Sequence, residues 1–270
     1  MGQYYFKMLS EKIKKSEGNT LFPCRATYIT DWNGERKLAR IEKSDRPIFR
    51  PKNWEREEKW EGQKVKIPTE RNEEDKSPEE RRRAIRRASE RCMDIVLCNP
   101  FEWFCTLTID PQKADRTSYN DIVRIFGRWA SNNVQRNDMK YLAVPEHHKD
   151  GQAIHLHMLA SGKLRMTESG IKQKGKSVYN LDTWQWGFTN CKNITGENAG
   201  TACAKYCLKY MRKQEGQKIG GRYYLSGGKL INPEYEYAET IEELNHDGES
   251  PKWTGNVEGE WGSYTKFSFI

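Results

Sequence analysis

Tyr141-Leu-Ala-Val-Pro-Glu146-His-His-Lys-Asp150-Gly151-Gln-Ala-Ile-His155-Leu-His157-Met-Leu159 consists of two apolar runs that meet at Asp150-Gly151. Asp-Gly between strand-like runs marks a two-residue hairpin turn, because both central residues need positive φ. With that turn Lys149 pairs with Gln152, and counting back along the strands sets Glu146 opposite His155. His157 lies two residues on, so it shares the face of His155 and meets Glu146 on the diagonal. One carboxylate and two imidazoles then converge on one face of a hairpin. The reading depends on register, since a slip of one residue turns Glu146 away from the histidines.

A His/His/carboxylate set suits several divalent ions, and ligand type alone leaves Zn, Mn, Fe and Mg open. The rest of the chain narrows the choice of chemistry. It has 270 residues, 31% of them charged and 36% hydrophobic, which favours one modest core with polar excursions over two full cores. A net charge of +8 and a pI near 9.0 fit a polyanionic partner. The seven cysteines (Cys24, Cys92, Cys98, Cys105, Cys191, Cys203, Cys207) form no CxxC pair. Scattered thiols without a signal peptide read as reduced, and no apolar run reaches the roughly 18 residues of a membrane span. A soluble protein of the cytoplasm is expected, with no membrane partner.

Along the chain, residues 1–76 read as a charged N-terminal extension. Short strands at Ala26–Thr30 and Lys37–Ile41 flank a turn at Asn33-Gly34, and a solvated linker follows from Lys52 to Lys76. At Ser77-Pro78-Glu79-Glu80 the pattern becomes definite: a capping serine, proline in the first helical position and acids in the first turn. This helix carries six arginines within eleven residues, Arg81, Arg82, Arg83, Arg86, Arg87 and Arg91, of which Arg82, Arg83, Arg86 and Arg87 are candidate phosphate contacts. A β-branched and aromatic strand follows at Phe101–Ile109. Next comes a helix from Ser118 to Arg136 with Arg124, Arg128 and Arg136 on its outer side.

After the hairpin, residues 160–182 read as a basic loop in which Lys172, Lys174 and Lys176 are further candidate phosphate contacts. Gly170–Ser177 matches GxxxxGK[ST]. Its flanks are too polar before and too short and β-like after for a phosphate-cradling loop, so ATP is not an expected ligand. Trp184–Asn190 reads as a strand. Residues 233–270, acidic and then rich in Gly and Trp, read as a C-terminal tail with at most a short strand.

A helix from about Asn198 to Lys213 supplies the second half of a site. At 100° per residue Tyr206, Lys209, Tyr210 and Lys213 fall within about one quadrant, and Ala204, Cys207, Leu208 and Met211 lie nearly opposite. Beside a metal face, this pattern fits phosphoryl transfer. An ion on Glu146, His155 and His157 draws density from a phosphate oxygen, and a phenol attacks phosphorus. Lys209 and Lys213 favour the phenolate and screen developing negative charge.

His155-Leu-His157 with Tyr206-xx-Lys209 resembles the HUH endonucleases, the rolling-circle replication initiators. Phe104-Cys-Thr106-Leu-Thr108 looks like their first motif, and Tyr206-Cys-Leu-Lys209-Tyr210-Met-Arg-Lys213 is similar to the double-tyrosine form of the phage branch. Arg91–Asn99, Val144–Gly151, Trp186-Gly-Phe188 and Arg222–Gly228 add likeness to phage-encoded members, so the resemblance spans residues 78 to 232 and defines an endonuclease domain at 77–232. It implies an α+β fold with a central antiparallel sheet and flanking helices, and Mg²⁺ or Mn²⁺ as cofactor. It further implies nicking of one strand of origin DNA through a 5′-phosphotyrosine link that frees a 3′-OH primer, with later strand transfer. Helicase and polymerase are expected to be separate proteins of host or phage. A relaxase or single-strand transposase shares the chemistry, and a non-catalytic basic single-strand-binding protein is the alternative outside it.

Overall fold

The computed structural model describes residues 21–31, 34–47, 49, 77–148, 151–194, 199–213, 222–245, 247–259 and 262–270; side chains of 199–200, 210–213, 257–259 and 262 are outside that description. The elements in chain order begin with β1 (Cys24–Thr30), β2 (Arg36–Ser44), α1 (Pro78–Cys98), β3 (Trp103–Leu107), α2 (Tyr119–Asn137), β4 (Lys140–His147) and β5 (Ile154–Ser161). They continue with β6 (Met166–Gln173), β7 (Lys176–Leu181), β8 (Thr189–Asn193), α3 (Ala199–Lys213), β9 (Leu225–Gly227), β10 (Glu234–Ala238), β11 (Trp253–Gly259) and β12 (Gly262–Ser268). The fold is α+β with two antiparallel sheets, and the chain forms two compact units.

One unit combines described residues of 1–30 and 34–67 with those of 233–270. Its sheet runs β10-β1-β2-β12-β11 around Cys24, Ala26, Tyr28, Ile41, Ala238, Leu244 and Phe269. The C-terminal segment is therefore not a peripheral tail, for β10 and β12 pair with β1 and β2. Its acids answer the bases of the N-terminal strands. Arg36 bonds Glu234 at 3.0 Å and Glu236 at 2.6 Å, and Arg25 holds the buried Glu42. The expected charged linker at 52–76 lies outside the described residues.

The other unit, mainly Pro68–Asn232, is a seven-stranded sheet in the order β6-β7-β8-β3-β5-β4-β9. Strand alternation divides β5 cleanly between two cores. Leu156, Met158 and Ala160 face α2 through Ile122, Ile125, Phe126 and Trp129. Leu159, with Leu142 and Val144 of β4, faces α1 and α3 through Ile95, Val96, Ala204, Cys207 and Leu208. Burying Phe126, 1% exposed, is worth roughly 1.5–3 kcal/mol.

Both long helices start where the sequence marks them. Ser77 accepts from the Glu80 amide at 3.2 Å while the Glu80 carboxylate accepts from the Ser77 amide at 2.9 Å, a reciprocal capping box. Ser118 caps α2 through the Asp121 amide at 3.3 Å. At the far end of α1, buried Asn99 donates to the carbonyls of Ile95 (2.8 Å) and Ile231 (2.9 Å) and accepts from the Ile231 amide at 2.9 Å. That clasp fixes residue 231 against the helix end.

Two expectations fail here. Residues 160–182 are not a loop: β6 and β7 pair as a hairpin turned at Lys174 and Gly175, with φ of +52° and +77°. Gly170–Ser177 thus lies within a hairpin, and it runs directly into β7 rather than opening a helix. Trp184–Phe188 is not a strand, since Trp184 closes a turn onto the Leu181 carbonyl at 2.9 Å and only Thr189–Asn193 forms β8. Gly187 presses on the backbone just past β3 there, and a Cβ on it would lie 2.3 Å from the Thr108 oxygen.

Candidate metal and tyrosine site

The hairpin register is the expected one. Glu146 pairs with His155 and Val144 with His157. Asp150 lies outside the described residues, but Gly151 has φ of +72° and its amide donates to the His148 carbonyl at 2.8 Å. Glu146 Oε2 lies 2.8 Å from His155 Nε2 and 2.5 Å from His157 Nε2, and the two Nε2 atoms are 3.0 Å apart. Among the described residues these three form the one cluster of His, Cys and acid side chains able to hold a metal ion.

The donor chemistry fits an ion. Bonds of about 2.1 Å at right angles set neighbouring ligand atoms roughly 3.0 Å apart, close to the spacing found. A ligating histidine must be neutral, and burial lowers the pKa of His157, outweighing the opposing pull of Glu146. When Nε2 offers its lone pair, the ring proton sits on Nδ1, where Thr106 Oγ1 is 3.2 Å away to accept it. Such an outer partner fixes both tautomer and ring orientation. His148 stays outside the cluster, its ring edge-on to His155 at 5.6 Å.

The same sheet face carries the tyrosine. Helix α3 buries Ala204, Cys207 and Leu208, and burial pushes the Cys207 thiol up to about 12. Tyr206 is 45% exposed. Its ring meets His157 at 5.7 Å and Phe104 at 5.7 Å, edge-on to both, and Phe104 stacks on His157 at 5.8 Å. Offset and edge contacts at these separations are favourable. Lys209 is exposed on the same helix. The side chains of Tyr210 and Lys213 lie outside the described residues.

Phe104 and Thr106 therefore belong to the site, a place that their residue types alone do not mark. Their alternation put them on one face of β3, but only pairing of Thr106 with His157 shows which neighbour they meet. On α1, Arg82, Arg86 and Arg87 are exposed, and Arg83 bonds Glu79 at 3.1 Å. Lys172, Lys174 and Lys176 are exposed on the β6–β7 hairpin at the sheet's edge. Lys176 and Lys192 make themselves felt at Cys203 on α3, lowering a thiol pKa that burial raises, so positive charge reaches the helix that carries Tyr206.

No helix among the described residues is long and apolar enough to cross a membrane. No curated protein and no solved structure matches the chain. Residues 102–215, which span Glu146, His155, His157 and the whole of α3, match the family model of replication-associated protein ORF2/G2P, a likeness that supports a role in replication initiation.

Proposed function

We propose that this protein initiates rolling-circle replication by nicking one DNA strand at an origin, as an HUH endonuclease of the double-tyrosine kind. The observation that carries the proposal is the contact of Tyr206 with His157, which joins a nucleophile to a three-donor metal cluster on one sheet face. Glu146, His155 and His157 would hold Mg²⁺ or Mn²⁺. When bound, the ion polarises a non-bridging phosphate oxygen and offsets charge in the transition state.

The chain's own residues do the rest. Phe104 and His157 hold the Tyr206 ring edge-on, limiting its swing and orienting the phenol for attack. Its oxygen bonds to phosphorus as the P–O3′ bond breaks. The phenolic proton is lost to solvent, and the departing 3′ oxygen takes one up to become the primer hydroxyl. Lys209, one turn on, screens the negative charge that develops, and Tyr210 with Lys213 would repeat the pair for a second transfer. Arg82, Arg83, Arg86 and Arg87 of α1 and Lys172, Lys174 and Lys176 of the hairpin would bind flanking phosphates. The covalent link retains the energy of the broken phosphodiester, so a later 3′-OH can reseal the strand.

Labelled single-stranded oligonucleotides tiled through the neighbouring origin region test the proposal. With Mn²⁺ one of them should form a denaturation-resistant protein adduct, and EDTA should abolish it. Absence of adduct across the whole tiling with both Mn²⁺ and Mg²⁺ would overturn the nickase and leave the single-strand-binding alternative.

A further inference from the structure

We infer a second nucleic-acid site, a groove for single-stranded DNA on the sheet face opposite the metal cluster; the choice of DNA rests on the proposed function. The cavity there measures about 550 Å³ and lies between α2 and the segments around Arg165 and Asp182–Trp186. Its side of the sheet follows from β5. Residues 156, 158 and 160 face α2, whereas His155 and His157 project the other way.

Four arginines line the groove, Arg124, Arg128, Arg136 and Arg165, against a single acid, Asp182. On a helix, an acid three or four residues from an arginine can pair with it and offset its charge. Here only Arg124 is so paired, through Asp121 at 2.9 Å. Arg128, Arg136 and Arg165 have no ion pair or hydrogen bond through their side chains among the described residues. Asp182 does not neutralise Arg165 even though its amide bonds the Arg165 carbonyl at 3.1 Å; its carboxylate instead accepts from Thr167 at 3.0 Å. The unmatched charge comes from two separate segments and faces one cavity.

The spacing selects the ligand. Arg124 to Arg136 spans twelve helical residues, a rise of about 18 Å. A free phosphate needs donors that converge on one point, whereas a row of this length suits successive phosphates of one strand. Trp186, 38% exposed, also lines the groove. A basic groove with an accessible aromatic ring is the arrangement that holds a single strand without regard to sequence, phosphates on the charges and a base on the ring. A duplex offers no unstacked base to such a ring. A strand engaged at the cluster and again in this groove would be held at two points around the sheet.

The test measures equilibrium binding of fluorescein-labelled dT30 by the full chain in EDTA, over a range of salt. The variant is Arg128→Gln with Arg136→Gln and Arg165→Gln. Three lost phosphate contacts should flatten the slope of log K against log salt by about 2, from roughly 0.7 per contact on single strands. The matching triple Arg→Lys variant should keep most of the slope, which separates lost charge from lost folding. An unchanged slope in the glutamine variant overturns the groove. So does a loss confined to duplex DNA, or a pyrophosphate site abolished by the variant while dT30 binding persists. Because EDTA removes nicking, the result is independent of the proposed chemistry: a wild type that forms no adduct with Mn²⁺ but shows the slope change keeps the groove and loses the nickase.

Discussion

If Glu146, His155 and His157 are the ligands, Mn²⁺ should raise the melting temperature of the wild-type chain, and cutting Glu146 back to alanine should remove most of that rise. The cluster has three donors, one of them anionic and shared by both imidazoles. At a metal concentration of 100 Kd, binding stabilises the folded state by about 2.7 kcal/mol. The unit that carries the site takes in residues 31–33 and 68–232, about 170 in all. For a domain of that size 1 kcal/mol moves Tm by about 2–4 °C, so the wild type should gain about 5–11 °C. Losing an outer partner of a ligand costs about 10- to 100-fold in affinity, and losing a ligand costs at least as much. At a 100-fold loss the same metal concentration equals Kd and leaves about 0.4 kcal/mol, or roughly 1–2 °C. Removing the carboxylate also leaves two imidazoles without their acceptor, which lowers metal-free stability by about 1–3 kcal/mol. The comparison is therefore the Mn²⁺-induced shift within each variant, read by differential scanning calorimetry on EDTA-stripped protein. An equal shift in Glu146→Ala and wild type would refute the ligand set, as would a wild type unmoved by millimolar Mn²⁺.

Asn99→Ala breaks one buried and two half-buried hydrogen bonds at the end of α1; a loss of about 1–3 kcal/mol is expected in urea unfolding, and a loss below 0.5 kcal/mol would show that the clasp is dispensable. The lowered pKa of His157 means that the unfolded chain binds a proton more readily than the folded one. Stability of the metal-free protein should therefore fall as pH drops below about 6.5, down to the folded-state pKa. His157→Gln should flatten that limb of the urea midpoint against pH, and an identical pH profile would contradict the burial argument. Phe104→Ala removes the ring that stacks on His157 and meets Tyr206; single-turnover adduct formation should slow on the order of tenfold or more, and an unchanged rate at saturating oligonucleotide would show that the ring orients nothing.

The site's central pairing was legible because two period-2 strands and an Asp-Gly turn leave one register that buries Leu142, Val144 and Leu159 together. The same local logic exposed the Ser77 capping box and the buried stripe of α3. Where the physics is not local, the sequence pattern misleads. Met166–Gln173 is exposed along nearly its whole length, so it lacks the apolar alternation that marks a half-buried strand, and its hairpin looked like a loop. The aromatic run from Trp184 carries strand-like composition, yet Trp184 spends its bulk in a turn against Trp129, rings 5.4 Å apart and nearly perpendicular. The acidic C-terminal segment hid strands because its partners, Arg36 and the rest of β1 and β2, lie some two hundred residues earlier. Phe104 and Thr106 stood in a recognisable motif, but their role follows only from the pairing of β3 with β5.

Mapping the covalent bond itself tests the proposed tyrosine chemistry most directly. Wild-type protein is incubated with Mn²⁺ and the cleaved oligonucleotide, the DNA is digested to its linking nucleotide, and tryptic peptides are sequenced by mass spectrometry. A 5′-phosphonucleotide is expected on the α3 peptide at Tyr206 or Tyr210, absent from the Tyr206→Phe Tyr210→Phe double variant. Adduct on a residue outside α3, or adduct that survives in the double variant, would contradict that chemistry.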